Sequence, residues 1–166
     1  TGMPTAKEAV ARLCDPAAKV SAHYTVDEDG TVYVHVPEEK RAWHAGKSYW
    51  AGETNVNGRS IGIEIVNPGH EFGYRPFPGR QIEAVIGLAR EIVRRHRIPA
   101  ARVLGHSDVA PARKTDPGEL FPWGALALEG GYAYEAVPET GHLLQIERPE
   151  ESREAMLSLL KTHNLA

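Results

Sequence analysis

Apolar residues in the first half of the chain recur at two spacings, one typical of helices and one typical of strands. Residues 4–13 place alanine, valine and leucine at intervals of three and four, which predicts a short helix. Residues 20–26 and 31–36 are predicted strands, and the acidic turn 27–30 between them ends on a glycine, as hairpin turns often do. Residues 61–66 form a short apolar run bounded by turn residues, which predicts a buried central strand.

The second half begins with the clearest helical pattern in the chain. Residues 80–97 carry an apolar stripe on one side and arginines and glutamates on the other, which predicts an amphipathic helix that Pro99 ends. A short strand over 102–104 and a long loop over 105–123 follow. Further along, the pattern predicts two strand segments and a last helix, over 132–137, 143–146 and 149–163. We therefore predict an α/β fold with a mixed central β-sheet flanked by α-helices.

The composition narrows the possible partners. The 166 residues are 42% hydrophobic and 25% charged, which is ordinary for a globular domain. With 19 basic and 22 acidic residues the formal charge is -3, which argues against a nucleic-acid-binding protein, and no apolar run is long enough to cross a bilayer. Cys14 is the only cysteine, which excludes an intrachain disulfide and a multi-cysteine zinc site. Any metal must then be held by histidines and carboxylates. Separately, we expect the protein to be a monomer.

The densest group of reactive side chains lies in the predicted loop 105–123. His106 follows a predicted strand end, and Asp116 comes later in the same loop, with Lys114 two positions before it. A neutral imidazole and a carboxylate are both ligands of catalytic zinc, which usually takes three protein ligands and leaves one position open. A lone His–Asp pair in a loop is more often a hydrogen-bonded turn than a metal site. Spacing alone therefore leaves both interpretations open.

Glu64 lies in the middle of the apolar run 61–66, where an unpaired carboxylate is costly. Because side chains alternate along a strand, Gly62, Glu64 and Val66 share one face and the three isoleucines share the other. A carboxylate that faces a pocket is a natural general base for a hydrolytic water. A buried salt bridge to a structural arginine or lysine explains Glu64 equally well.

The polar loop 37–59 places an aromatic residue beside an imidazole, at Trp43 and His44. Such a pair stacks well on a sugar or a peptide, and we expect Trp43, His44 and Asn57 to contact substrate. The alternative for Trp43 is that it fills the core. His23 lies in a predicted strand, and we interpret it as a core histidine with satisfied hydrogen bonds.

Taken together, these segments resemble the zinc-dependent N-acetylmuramoyl-L-alanine amidases of the phage-lysozyme and peptidoglycan-recognition type. The resemblance covers most of residues 1–125, and its most specific parts are Trp-His-Ala-Gly at 43–46, Ser-Ile-Gly-Ile-Glu at 60–64 and the loop 106–118. It implies hydrolysis of the amide between the lactyl group of N-acetylmuramic acid and L-alanine. Peptidoglycan or a muropeptide is thus the expected partner.

The resemblance also implies roles for four residues. His106 and Asp116 match two of the family's three zinc ligands, so Zn2+ is the expected cofactor. Glu64 matches the catalytic glutamate, which takes a proton and hands it to the leaving amine. Lys114 matches a lysine that meets the developing negative charge on the substrate.

The family's third zinc ligand is a histidine on a first strand, and no residue of this chain matches it. Since the family segment that follows this histidine resembles residues 1–4 here, we expect the sheet to lack the family's first strand. His23 and His44 are the only substitutes that we can name. The alternative function is therefore a non-catalytic muropeptide-binding module with an incomplete metal site. Residues 1–24 resemble the envelope branch of this family more than its cytosolic recycling branch, which implies the bacterial cell envelope or periplasm rather than the cytoplasm.

The pattern of predicted elements changes near residue 130, where two strand segments and a last helix follow the amidase-like segments. We assign residues 1–128 to the amidase-like domain and residues 129–166 to a C-terminal extension. Within the extension, residues 141–150 weakly resemble the C-terminal end of an α/β-hydrolase, in which His142 matches the catalytic histidine. We assign His142 no catalytic role.

Overall fold

The computed structural model describes residues 2–131 and, beyond them, the backbone of residues 135–136 and 143–144. The chain divides into two compact units, Thr1–Val85 with Leu104–Phe121 and Ile86–Val103 with Pro122–Ala166. Every candidate catalytic, metal-binding and substrate-binding residue named above belongs to the first unit, so the site is described within it. The predicted domain boundary after residue 128 stays a prediction.

The first unit contains a three-stranded mixed sheet in the order β2-β1-β3. Its strands are β1 at Tyr24–Val26, β2 at Val32–Val34 and β3 at Ile63–Ile65. β1 and β2 are antiparallel, and the turn between them contains Gly30 at a φ of 91°, which favours glycine. β1 and β3 are parallel, with Thr25 beside Glu64. The predicted mixed sheet is confirmed, although each strand is shorter than its apolar pattern.

The helices predicted over 4–13 and 80–97 are confirmed, and two further helices are present. The helices of the described residues are α1 at Ala6–Cys14, α2 at Gly79–His96, α3 at His106–Val109 and α4 at Trp123–Gly130. Neither α3 nor α4 shows an alternation of apolar and polar residues, because α3 is a single turn and α4 is almost entirely apolar. Among the described residues, none of these helices is both long and apolar enough to span a membrane.

The strand predicted over 102–104 is wrong. Residues Ala100–Arg102 form a 3-10 helix instead, in which the Arg102 N–H donates to the Pro99 carbonyl at 2.9 Å. Proline has the φ angle with which such a turn begins, and a run of three residues carries too little periodicity to distinguish a strand from a turn.

Beyond residue 131, strands β4 at Glu135–Ala136 and β5 at Leu143–Leu144 form an antiparallel pair. These strands fall within the segments predicted for 132–137 and 143–146. The helix predicted over 149–163 and the hydrolase-like His142 lie outside the described residues.

A buried glutamine ties the start of α2 to the sheet. Gln81 is fully buried, and its Nε2 donates to the carbonyls of Val26 at 3.1 Å and Val66 at 2.7 Å. One side chain thus satisfies backbone acceptors at the ends of both parallel strands. The apolar stripe predicted for α2 is buried, at Ile82, Val85, Ile86, Ala89 and Ile92.

Candidate functional site

The loop that begins with α3 brings His106 and Asp116 together. The Ser107 N–H donates to the Asp116 carbonyl at 3.0 Å, so the backbone itself closes the loop at this point. His106 Nδ1 then lies 3.1 Å from Asp116 Oδ2. The imidazole is 17% exposed and the carboxylate 46%, so the pair is reachable from solvent on the aspartate side.

Lys114 adds a positive charge to this pair. Its Nζ lies 4.0 Å from Asp116 Oδ1. Burial by itself raises the pKa of the Asp116 carboxyl, but the hydrogen bond to His106 and the charges of His106 and Lys114 outweigh it, so the pKa lies below its usual range. The structure therefore brings together His106, Asp116 and Lys114, and it keeps the carboxylate ionised.

The geometry of the pair fits two ligands of one zinc ion. Two ligands at about 2.1 Å from a tetrahedral zinc lie about 3.4 Å from each other, within about 0.3 Å of the 3.1 Å between Nδ1 of His106 and Oδ2 of Asp116. Imidazole nitrogen and carboxylate oxygen are also the donor types that zinc takes. Within the part of the chain that the structure describes, no group of three histidine, cysteine or acidic side chains could hold a metal ion. The described residues thus fit two positions of a site that normally needs three.

The other ring nitrogen of His106 faces the backbone of the loop 37–59. His106 Nε2 lies 3.1 Å from the Ala45 carbonyl, and the Ala45 N–H donates to Asn57 Oδ1 at 2.7 Å. The Arg113 guanidinium donates to the Ala45 carbonyl and, through Nε, to the Lys47 carbonyl at 2.8 Å. Both backbone polar groups of Ala45, its N–H and its carbonyl, are therefore held by side chains.

His44 directly precedes Ala45 in this loop, and its ring lies against Gly62 and His23. Its Nε2 is 3.4 Å from the Ser60 carbonyl, and its ring meets that of His23 edge-on at 5.6 Å between centroids. Burial, helped by repulsion from His23 and His106, lowers the pKa of His44 from 6.5 to about 4. A Cβ on Gly62 would overlap the His44 ring, so glycine at this position makes room for the imidazole.

His23 is a core histidine, as its position in a predicted strand indicated. It is fully buried, its Nδ1 accepts from the Gly62 N–H at 3.0 Å, and its Nε2 lies 3.0 Å from the Lys40 carbonyl. An acceptor role at Nδ1 and a carbonyl at Nε2 together require a neutral ring with its proton on Nε2. Both nitrogens are thus occupied by backbone groups, and His23 is not available as a substitute ligand.

Glu64 lies in β3, half-buried, beside the buried Thr25 of β1. Within the described residues its carboxylate makes no hydrogen bond or ion pair, so the salt-bridge interpretation finds no cation there. Glu64 shares a strand face with Gly62, against which His44 packs. Its role as general base stays a prediction.

The two remaining predicted substrate contacts differ in exposure. Trp43 is 52% exposed, with the Arg41 guanidinium carbon 4.1 Å from its ring centroid, so the alternative that Trp43 fills the core is wrong. Asn57 is buried, and its Oδ1 serves the Ala45 N–H. Contact of Trp43, His44 and Asn57 with substrate stays a prediction.

Ser60 lies in a pattern, Gly58–Gly62, that spells the Gly-x-Ser-x-Gly of hydrolase nucleophile elbows. That motif requires a strand followed by a helix, whereas here a 3-10 turn at Val56–Gly58 precedes strand β3. The Ser60 hydroxyl donates to the Val56 carbonyl at 2.6 Å. Ser60 therefore stabilises a turn and does not form a nucleophile elbow.

Sequence analysis missed two residues that position the site, Arg113 and Tyr74. The Tyr74 hydroxyl donates to the Pro117 carbonyl at 2.8 Å and accepts from the Leu120 N–H at 3.0 Å, directly after Asp116. A Cβ on Gly118, where φ is 89°, would overlap this hydroxyl. Both residues act on backbone groups more than 40 positions away, and no local pattern reveals such contacts.

Comparison with known proteins identifies the family. Residues 1–119 match the family model described as N-acetylmuramoyl-L-alanine amidase. The chain is 43% identical over 124 residues to N-acetylmuramoyl-L-alanine amidase AmiD of Escherichia coli (strain K12), covering 68% of this chain and 45% of AmiD. It is 39% identical over 104 residues to 1,6-anhydro-N-acetylmuramyl-L-alanine amidase AmpD of Enterobacter cloacae, covering 63% of this chain and 54% of AmpD. The chain thus spans about half the length of these curated relatives.

Solved structures agree with this assignment. The complex of Escherichia coli AmiD with the substrate anhydro-N-acetylmuramic acid-L-Ala-D-gamma-Glu-L-Lys is similar at a TM-score of 0.72 and 40% identity, covering 80% of this chain and 56% of that one. AmpDh3 of Pseudomonas aeruginosa in complex with anhydromuramic pentapeptide is similar at a TM-score of 0.70 and 36% identity, covering 79% and 58%. The mixed sheet with its flanking helices and the match over residues 1–119 lead to one conclusion: this chain belongs to the N-acetylmuramoyl-L-alanine amidase family.

Proposed function

We propose that this chain hydrolyses the amide bond between the lactyl group of N-acetylmuramic acid and L-alanine in muropeptides. The observation that carries the proposal is the convergence of His106 Nδ1 and Asp116 Oδ2 at 3.1 Å, with the Lys114 ammonium beside them. Relatives with the same fold are complexed with anhydromuramyl peptides, which supports a soluble wall fragment as the substrate class.

The reaction consists of three changes in bonding. Water adds to the lactyl carbonyl carbon, the bond from that carbon to the alanine nitrogen breaks, and one proton passes from the water to the nitrogen. Glu64 is the candidate to accept that proton and return it to the amine, as a general base and then a general acid. Lys114 is the candidate to stabilise the negative charge that develops on the carbonyl oxygen.

We propose Zn2+ as the cofactor, held in part by His106 and Asp116. When bound, zinc supplies Lewis acidity that polarises the carbonyl and lowers the pKa of water. The ionised state of Asp116, maintained by His106 and Lys114, suits this ligand role. The two ligands among the described residues leave one position of the usual three to be filled.

Chelation tests the proposal directly. The purified chain is incubated with an anhydromuramyl tripeptide, and release of the free peptide is followed by mass spectrometry. We expect cleavage that a chelator abolishes and that one equivalent of Zn2+ restores. Cleavage that continues at the same rate in excess chelator would overturn the zinc assignment, and absence of cleavage at any zinc concentration would overturn the enzymatic one.

A second candidate function is a muropeptide-binding module without catalysis. Only the two-ligand metal site favours it. Metal analysis of the purified chain separates the two functions, since near-stoichiometric zinc supports the enzyme. Binding of the tripeptide by calorimetry, in a preparation that holds no zinc and releases no product, supports the module.

A further inference from the structure

Nε2 of His106 has two neighbours with opposite hydrogen-bonding character. The Ala45 carbonyl, 3.1 Å away, only accepts, and the Arg113 Nη2, 3.3 Å away, only donates. The same Nη2 also donates to the Ala45 carbonyl. Because Nη2 carries two hydrogens, one can serve the carbonyl while the other points at the ring nitrogen.

Among the described residues, the hydrogen-bond partner of the opposite nitrogen, Nδ1, is the Asp116 carboxylate at 3.1 Å. If Nδ1 carries the ring proton, it donates to Asp116, and Nε2 is left as an acceptor for Arg113. If Nε2 carries the proton, it donates to the Ala45 carbonyl, and two lone pairs meet between Nδ1 and Asp116. That second arrangement is favourable only when a cation lies between them.

We propose that Arg113 and the Ala45 carbonyl, here called the cradle, together give His106 Nε2 a hydrogen-bond partner in either tautomer: Arg113 donates to Nε2 when it carries no proton, and the carbonyl accepts from Nε2–H. Arg113 is thus a positioning residue: it holds the metal-free ring with its proton on Nδ1, docked on Asp116. If a cation were bound at Nδ1, the ring proton would lie on Nε2 and the Ala45 carbonyl would accept it. The cation part of this inference rests on the proposed zinc site, whereas the metal-free part does not.

The loop is built to keep the guanidinium in this place. Arg113 Nε donates to the Lys47 carbonyl at 2.8 Å, and Asn57 Oδ1 accepts from the Ala45 N–H. Gly46, between the two bonded carbonyls, has a φ of 59°, and a Cβ there would come within 2.9 Å of Arg113 Nη2. A glycine at this position therefore lets the guanidinium pass close over the backbone.

Nuclear magnetic resonance of the histidine rings tests the cradle without any reaction. In metal-free, 15N-labelled full chain at a single pH at which the neutral ring is observed, long-range proton–nitrogen correlations report which nitrogen carries the proton. We expect Nδ1–H for His106 in the wild type and a larger Nε2–H fraction in Arg113→Met, because loss of the donor leaves the Nε2 lone pair facing the Ala45 carbonyl. The matched control Arg75→Met removes a guanidinium that, within the part of the chain that the structure describes, is bonded to Glu28, and should leave Nδ1–H in place. A wild-type ring protonated on Nε2, or an Arg113→Met ring identical to the wild type, overturns the proposal.

A second pair of variants keeps the test sharp if Arg113→Met folds poorly. Gly46→Ala displaces the guanidinium while retaining Arg113, so we expect the same change of tautomer. Gly52→Ala, at a φ of 86° with no atom near the added Cβ, imposes similar backbone strain and should leave the tautomer unchanged. Equal spectra for His106 in these two alanine variants contradict the role of Arg113.

Titration with Zn2+ separates this inference from the proposed function. We expect the His106 proton to move to Nε2 as zinc binds the wild type. Zinc that binds while Nδ1–H persists overturns the cradle. Failure of the chain to bind zinc overturns the proposed metal site, and the metal-free spectra then decide the role of Arg113 alone.

Discussion

At the scale of single residues, chemistry in this chain is set by distant backbone groups. The Gly62 N–H and the Lys40 carbonyl fix the tautomer of His23, and the Ala45 carbonyl faces one nitrogen of His106. A histidine in the sequence is a candidate ligand, base or core residue, and its neighbours decide among these roles. His23 becomes a core residue because both its nitrogens are bonded inside the protein, whereas His106 keeps one nitrogen directed at a carboxylate.

Glu64 is the residue whose predicted role is easiest to isolate. If it is the general base, Glu64→Gln should reduce muropeptide cleavage by at least 10²-fold, because an amide cannot accept the proton. Zinc content should stay near that of the wild type, since Glu64 is not a proposed ligand. Product release measured by mass spectrometry and metal analysis of the same sample give both values.

The control for this variant is Glu91→Gln, which removes an exposed carboxylate of α2 that pairs with Arg94 at 3.8 Å. This variant should cleave at the wild-type rate. A fully active Glu64→Gln would remove Glu64 from the mechanism.

Gly62 offers a test of packing at the site. Gly62→Ala places a Cβ in the volume of the His44 ring, and we expect the free energy of unfolding to fall by about 1–3 kcal/mol. Gly87→Ala is the matched control: it lies in α2 with no atom near the added Cβ, and replacing a helical glycine should raise stability by roughly 0.5–1 kcal/mol. Urea titration of both variants measures the two values, and equal stabilities would contradict the contact with His44.

At the scale of elements, the site depends on a loop held at two points. At its start, the Ser107 N–H bonds the Asp116 carbonyl and His106 faces the Ala45 backbone. After Asp116, Tyr74 bonds the Pro117 carbonyl and the Leu120 N–H. The predicted long loop is therefore fixed in position although most of it is neither helix nor strand, as is common for loops that carry function.

Removal of one hydroxyl tests the second of these points. Tyr74→Phe deletes both hydrogen bonds while the ring stays, and we expect a loss of about 1–3 kcal/mol in the free energy of unfolding. Zinc affinity should also fall, because the turn that follows Asp116 loses its anchor. Calorimetric zinc titration and urea denaturation measure the two effects. The control is Tyr49→Phe, at an exposed side chain, and an affinity unchanged in Tyr74→Phe would show that the turn keeps its position without the hydroxyl.

At the scale of the whole molecule, the buried imidazole of His44 couples folding to pH. Its pKa is about 4 in the folded chain against 6.5 for an ordinary histidine, so between these values the unfolded chain binds a proton that the folded chain does not. The folded-state pKa is depressed, so stability is fully present above pH 6.5 and falls as the pH drops towards 4. The His44 imidazole thus contributes up to about 3 kcal/mol to the free energy of unfolding, which is lost as the pH falls from 6.5 towards 4.

The variant His44→Gln removes this titration. We expect its free energy of unfolding, measured by urea titration in the presence of chelator, to change less between pH 7 and pH 4.5 than that of the wild type. If the curves of the wild type and His44→Gln run parallel, the depressed pKa of His44 is contradicted.

The sequence alone determined the elements with strong periodicity, α1, α2 and the strands of the mixed sheet, because apolar spacing is a local property of the chain. It also placed His106 and Asp116 in the same loop, where the structure brings them together. Only the tertiary structure decided that Trp43 is exposed, that residues 100–102 form a turn and not a strand, and that Arg113 and Tyr74 hold the site loop. Arg113 and Tyr74 bond backbone groups that are far from them along the chain, which no local pattern reveals. Residues 100–102 are too few for periodicity to distinguish a turn from a strand.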